Sequence, residues 1–191
     1  MSILYQTLED RDNVDYVEAN GPFLGNIRDT WLGKGYYYWD TFINSAHFWG
    51  WSSYKSKNKE YIIAKTELDI PSERLLNLLD PVDIQKFSTW IDEYELTFPN
   101  RKVTVEKVIT HIQNIMGSSF PYVAVKAVFN DCVNKPEYQN RIYQKNGRAY
   151  LDLQPPIQMC IFDKSIIGQN NFKVIYPSDY LNESDFTFQY I

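Results

Sequence analysis

The chain has 191 residues, 44% hydrophobic and 23% charged, which fits one domain with a sizeable core over residues 1–191 and excludes a disordered chain. A net charge of −5 lacks the basic excess that non-specific nucleic-acid binding needs, leaving only a local basic patch open. The only cysteines are Cys132 and Cys160, both expected to be reduced and buried, and the only histidines are His47 and His111. That set assembles neither a disulfide scaffold nor a zinc cluster, and it gives a Ser/His/Asp or Cys/His catalytic set little to draw on. No apolar run approaches the roughly 20 residues of a membrane span. The segment Met1 to Gln6 lacks the regions of a signal peptide, so a cytoplasmic protein without membrane or metal is expected.

In chain order, Leu4 to Thr7 predicts a short strand, then a helix with Val14 and Val17 inward that stops at Asn20-Gly21. Gly33-Lys34-Gly35 precedes a strand in which period two sets Tyr36 and Tyr38 on one face and Tyr37 on the other. Phe42 to Trp51 suits a short helix, and Tyr61 to Leu68 a strand with Tyr61, Ile63 and Lys65 opposite Ile62, Ala64 and Thr66. Asp80-Pro81 opens a capped helix with an Ile84, Phe87, Ile91 stripe. The clearest helical period is Val105, Val108, Ile109, Ile112, Ile115, Met116, stopped by Gly117, with His111 at its boundary. From Tyr122 the pattern is mostly β: Tyr122 to Phe129, Arg148 to Leu153, Gln158 to Phe162, Phe172 to Tyr176 and Phe186 to Tyr190. Asn130-Asp131, Asn146-Gly147, Pro155-Pro156 and Gly168 punctuate these strands. The outline is α+β.

Two glycines one residue apart permit close approaches that a side chain forbids, and Tyr37 is the ring expected to look into whatever that turn encloses. Gly33-Lys34-Gly35-Tyr36-Tyr37-Tyr38, with Ser45-Ala46-His47-Phe48 after it, resembles the middle motif of the ADP-ribosyltransferase superfamily in its diphtheria-toxin-like, poly(ADP-ribose)-polymerase-like branch. That motif reads Gly-Lys-Gly-Ile-Tyr-Phe, then Ser-Ala and an aromatic two residues on. The family opens with Leu-aromatic-His-Gly, a helix and Asn-Gly-Phe, similar to Leu4-Tyr5-Gln6-Thr7 and Asn20-Gly21-Pro22-Phe23, with Gln6 in place of His. Its third motif, Asn-Glu-Tyr-Ile-Val-Tyr-Asp, resembles Ile157 to Asp163, with Gln158 at the Glu position.

The resemblance implies an ADP-ribosyltransferase-like fold in which two packed antiparallel or mixed sheets form an NAD cleft with flanking helices. It implies catalytic positions at Gln6, Tyr37 and Gln158, and NAD contacts from Gln6, Thr7, Gly35, Tyr36, Tyr37, Ser45 and Phe48. Gln6 then bonds the adenosine ribose, the Thr7 backbone grips the nicotinamide amide, Tyr37 stacks on its ring, Ser45 bonds its amide and Phe48 is a second wall. An amide at Gln158 keeps the shape of the Glu and loses its charge, and losing a pre-organised partner costs about 10²–10³ in rate. Asp152, Asp163 or a group on the target is then needed to supply an acid. The implied activity is NAD-dependent mono-ADP-ribosyl transfer to a macromolecular target, protein or nucleic acid. By analogy with small members, the chain is then a toxin or effector held by an inhibitory partner protein. The two altered positions also fit an inactive fold that binds NAD or a protein, and the aromatic content fits an unrelated α+β interaction domain.

Overall fold

The computed structural model describes residues 1–26, 30–129, 141–143, 147, 149–168 and 170–180. The expected strand from Phe186 to Tyr190, the Asn130-Asp131 turn and Cys132 lie outside the described residues. The first half of the chain contains β1 (Ser2–Glu9), α1 (Val14–Asn20), β2 (Tyr36–Asp40), α2 (Ile43–Ser53) and β3 (Tyr61–Leu68). The remainder contains β4 (Leu75–Asn77), α3 (Pro81–Thr97), α4 (Val105–Met116), β5 (Ala124–Val128), β6 (Arg141–Tyr143), β7 (Tyr150–Asp152), β8 (Ile157–Ile161) and β9 (Lys173–Tyr176).

The class is α+β, with seven strands in one mixed sheet of order β4-β5-β8-β2-β1-β3-β9 and β6-β7 as a separate ribbon. Two packed sheets were expected; here β2 pairs with β1 on one edge and β8 on the other, which makes the seven strands continuous. Among the described residues only β4 and β5 run parallel; β4 has no counterpart in the sequence reading, because three residues are too few to show a period.

Strand alternation divides the core between the two faces. Leu4, Tyr38, Ala64, Met159 and Ile161 meet Val17 of α1, Ile167 and Phe172 on one face. On the other, Leu76, Val125 and Cys160 meet Phe87 and Tyr94 of α3 and Val108 and Ile109 of α4. Farther along that same face, Trp39, Tyr61 and Ile63 pack against Ala46 of α2. On this second face α3 and α4 therefore lie at the β4–β5–β8 end and α2 lies over β1, β2 and β3.

Local chemistry explains the helix limits. The Asp80 side chain accepts from Val82 N at 2.8 Å with Pro81 in the first turn, and Thr104 accepts from Lys107 N at 3.3 Å, each satisfying an orphan donor. Gly117, at φ 53, ends α4 in a backbone conformation that glycine favours. The expected stripes are too long: Ile84, Ile115 and Met116, near the helix ends, are exposed. His111 lies edge-on between Tyr94 and Phe98, as the boundary reading expected.

Gly35 is fixed by strand packing. A Cβ there would fall 2.4 Å from Ile161 O and 2.6 Å from Cys160 Sγ, so β2 can lie against β8 only without a side chain. Gly35→Ala is expected to destabilise the protein by about 1–3 kcal/mol, the usual cost of forcing atoms into a packed interior. Urea unfolding checks this: an unchanged midpoint would show that β2 has room to move.

Candidate functional site: a cleft where a ladder opens

Strand β1 pairs with β3 along its whole length, from Ser2↔Leu68 to Glu9↔Tyr61. With β2 it shares only two rungs, Leu4↔Asp40 and Tyr5↔Trp39. Asp10 N donates to Glu60 O at 3.0 Å and Ile3 O accepts from Thr41 N at 2.8 Å. In an antiparallel ladder the hydrogen-bonding direction alternates, so Gln6 directs its backbone groups to β3 and Thr7 directs its own towards β2. The two strands separate at that level.

The segment after α1 enters the gap. Gln6 Nε2 donates to Phe23 O at 2.9 Å and to Tyr37 O at 3.1 Å, while Gln6 Oε1 accepts from Phe23 N at 2.9 Å. Gly25 N donates to Gly35 O at 2.9 Å. One side-chain amide thus replaces ladder bonds for both the inserted segment and β2, which matters because Gln6 is only 5% exposed and buried polar groups require partners. Both ends of this amide are bonded to backbone, so the ribose contact that the resemblance implies for Gln6 requires one of these bonds to be exchanged.

The opening is a cleft of about 890 Å³ lined by Gln6, Thr7 and Leu8 of β1, Tyr37, Tyr38 and Trp39 of β2, and Gln158 of β8. Its remaining walls include Phe23 to Asn26, Thr30 and Trp31, the C-terminal part of α2 with Trp49 and Ser53, the start of α4, and Phe129. Gln6, Tyr37 and Gln158 converge here because β1, β2 and β8 are neighbours and Trp39 pairs with Gln158.

Tyr37 is half-buried; its hydroxyl accepts from Leu32 N at 2.8 Å and donates to Gly33 O at 2.8 Å. Burial first, then the neighbouring Cys160, raises its pKa above the ordinary 10.0, and burial pushes the Cys160 thiol up to about 12. Both stay neutral at physiological pH. A Cβ on Gly25 would come 2.8 Å from Tyr37 Cδ2, so the inserted segment lies directly against this ring. The phenol holds the glycine turn and the ring is its contribution to the cleft. Thr7 Oγ1 donates to Ala46 O at 2.8 Å, which docks α2 and leaves the Thr7 backbone as the group directed to the gap.

Four expected contacts lie elsewhere. Gly35 packs on β8, as above, and Tyr36 joins the opposite face of the sheet. Ser45 is 1% exposed in the small-residue side of α2 that also contains Ala46 and Gly50. A Cβ on Gly50 would come 2.4 Å from Tyr61 Cδ2, so this small residue lets α2 lie close on the sheet. Phe48 packs with the Trp39, Tyr61 and Ile63 cluster. The proposed substitute acids are also elsewhere: Asp163 caps the turn after β8 by accepting from Ser165 N at 2.9 Å, and Asp152 accepts from Gln154 N at 3.0 Å. The charged side chains on the described cleft wall are Lys57 and Glu106, both exposed.

Sequence reasoning did not identify Trp31, Trp49, Phe129 or Glu106. Trp31 lies two residues before the glycine pair, and nothing in its spacing announces that its Nε1 donates to Gln158 Oε1 at 2.7 Å. No group of three or more His, Cys, Asp or Glu side chains that could hold a metal occurs among the described residues, and no described helix is long and apolar enough to cross a membrane. Comparison with protein-family models, curated proteins and solved structures finds no match to the chain.

Tyr37→Phe removes the bridge between Leu32 N and Gly33 O and is expected to cost about 1–3 kcal/mol, since the amide loses its acceptor in a partly buried turn. It also changes the pH dependence. The raised folded pKa means the Tyr37 contribution is complete below pH 10.0, where the unfolded phenol is neutral, and is lost as pH rises further and the unfolded state ionises. Thermal melts from pH 8 to 11 should show a shallower alkaline loss in Tyr37→Phe than in the wild type. Parallel curves would contradict the buried neutral phenol.

Proposed function

We propose that the chain is an NAD-binding, mono-ADP-ribosyltransferase-like protein whose dinucleotide occupies the cleft between β1 and β2. The observation that carries this reading is the convergence of Gln6, Tyr37 and Gln158, 152 residues apart at the extremes (158 − 6 = 152), on the wall of one 890 Å³ cleft. The volume falls in the range of cofactor sites, which are concave and largely apolar with a few placed polar groups. Stacking on Tyr37 contributes about 0.5–1.5 kcal/mol beyond area burial, and the Thr7 backbone is directed to where an amide-bearing ring would lie against it.

In this reading Tyr37 and the backbone of Thr7 orient the nicotinamide end, and Gln158 lies beside the ribose from which nicotinamide leaves. With an amide there and no carboxylate in the triad, transfer is slow and stops after one unit. The acceptor on a macromolecular target, or Glu106 at the cleft wall, supplies the base that the triad lacks. A second reading, an NAD-binding module without chemistry, is favoured by one specific observation: Gln158 Oε1 already accepts from Trp31 Nε1, so only one of its two lone pairs remains to orient a ribose hydroxyl.

The test is nicotinamide release and labelling of cell lysate from radioactive NAD, alongside thermal melts with NAD. NAD is expected to raise the melting temperature, by the equivalent of about 2.7 kcal/mol at a hundredfold excess over Kd, and Tyr37→Ala, checked for folding by circular dichroism, should abolish the shift. Wild-type labelling should be slow, and Gln158→Glu should raise nicotinamide release by about 10²–10³ through restored charge stabilisation. Labelling that survives both Gln158→Ala and Tyr37→Ala would overturn the site. Binding without release would select the module.

A further inference from the structure

Gln158 is 7% exposed, and its Oε1 accepts from Trp31 Nε1 at 2.7 Å. Indole nitrogen donates and never accepts, so the amide has one permitted orientation: oxygen to Trp31, NH2 group away from it. Among the described residues none accepts from Gln158 Nε2, and Gln158 lies on the cleft wall. The indole is itself held by rings. Trp31 and Phe129 have centroids 6.3 Å apart, and Phe129 stands edge-on to Trp39 at 5.6 Å and to Trp49 at 6.1 Å. All four rings line the same cleft.

We infer that Trp31 is a positioning residue that fixes the hydrogen-bonding polarity of Gln158, so that this end of the cleft presents an N–H donor and receives a ligand group that accepts, such as a ribose hydroxyl oxygen or a carbonyl. A free glutamine offers donor and acceptor alike and can rotate to suit either; this one cannot without stranding the half-buried indole N–H, a loss that costs as much as a missing hydrogen bond. The pair thus sets a preference: a group that accepts meets the NH2 group directly, whereas a group that only donates must share Oε1 with the Trp31 indole. A carboxylate in place of the amide would keep one oxygen on Trp31 and turn the other to the cleft, reversing its polarity. The identity of the ligand rests on the proposed NAD cleft, but the Trp31–Gln158 lock does not.

Two measurements separate those claims. In ligand-free protein with ¹⁵N-labelled indoles, the Trp31 signal, assigned by its loss in Trp31→Phe, should move upfield and exchange with solvent about tenfold faster in Gln158→Leu. Gln158→Glu, which retains an acceptor, should restore the shift and the protection, a rescue that mere packing would not give. The other indole signals of the five tryptophans report that the variants are folded. A Trp31 signal indifferent to Gln158→Leu overturns the inference. The second measurement titrates NAD into wild type, Trp31→Phe, Gln158→Ala and the double variant. Each single change should weaken binding by about three- to tenfold, and the double variant should bind no more weakly than Gln158→Ala, because Trp31 acts through the amide. Additive losses would overturn the inference as well. If NAD binds none of the four, the functional reading fails while the indole signal still decides the positioning role.

Discussion

The Gln6 side-chain amide spans the point where two strands part. An antiparallel ladder abandoned after two rungs leaves backbone groups facing a gap, and such groups, once buried, must be paired or the fold loses free energy for each. Gln6 answers with all three of its contacts: two carbonyls and one N–H, from the inserted segment and from β2. The segment from Phe23 to Gly25 is thereby held as a wedge. The wedge keeps β1 and β2 apart, and their separation is the cleft. A residue with only a donor or only an acceptor at position 6 could not satisfy both the carbonyls and the N–H.

Around that opening, the polar groups on the strands are neutral and already hydrogen-bonded. The Tyr37 hydroxyl is committed to the glycine turn, Thr7 Oγ1 to α2 and Gln158 Oε1 to Trp31. The parts of these residues that remain for a ligand are the Tyr37 ring, the Thr7 backbone and the Gln158 NH2 group. In the proposed reading such a set receives a flat heterocycle and the oxygens beside it at little reorganisation cost, because each group is already held in place. It supplies little charge. The contrast between these held neutral groups and Glu106, the exposed carboxylate on the described cleft wall, is the main chemical feature of the cleft.

Much of the scaffold was legible because period reports burial. Tyr36 and Tyr38 fall with one core and Tyr37 with the other, and β3 runs from Tyr61 to Leu68 with Ile63 opposite Ile62 and Ala64. Helix α4 spans Val105 to Met116 with Gly117 after it, where sequence placed it. What period cannot report is which neighbour a residue meets. Gly35 lies in the glycine motif in either case, yet its missing Cβ serves the Ile161 carbonyl, a contact across 126 residues (161 − 35 = 126). Ser45 and Phe48 matched a motif in register, but α2 lies so close on the sheet through Ala46 and Gly50 that Ser45 is sealed beneath it. Trp31 was invisible for the complementary reason: its role depends on Gln158, and single residues in a loop carry no period at all.

The opened β1–β2 ladder is the proposed seat of a dinucleotide. Determining the crystal structure of the protein grown with NAD tests this most directly. The account predicts NAD in the gap, its nicotinamide on the Tyr37 ring and against the Thr7 backbone, with Gln158 Nε2 donating to a ribose oxygen. NAD bound outside the gap, or β1 and β2 paired continuously through Thr7 and Tyr37 with the Phe23–Gly25 segment displaced, would contradict it.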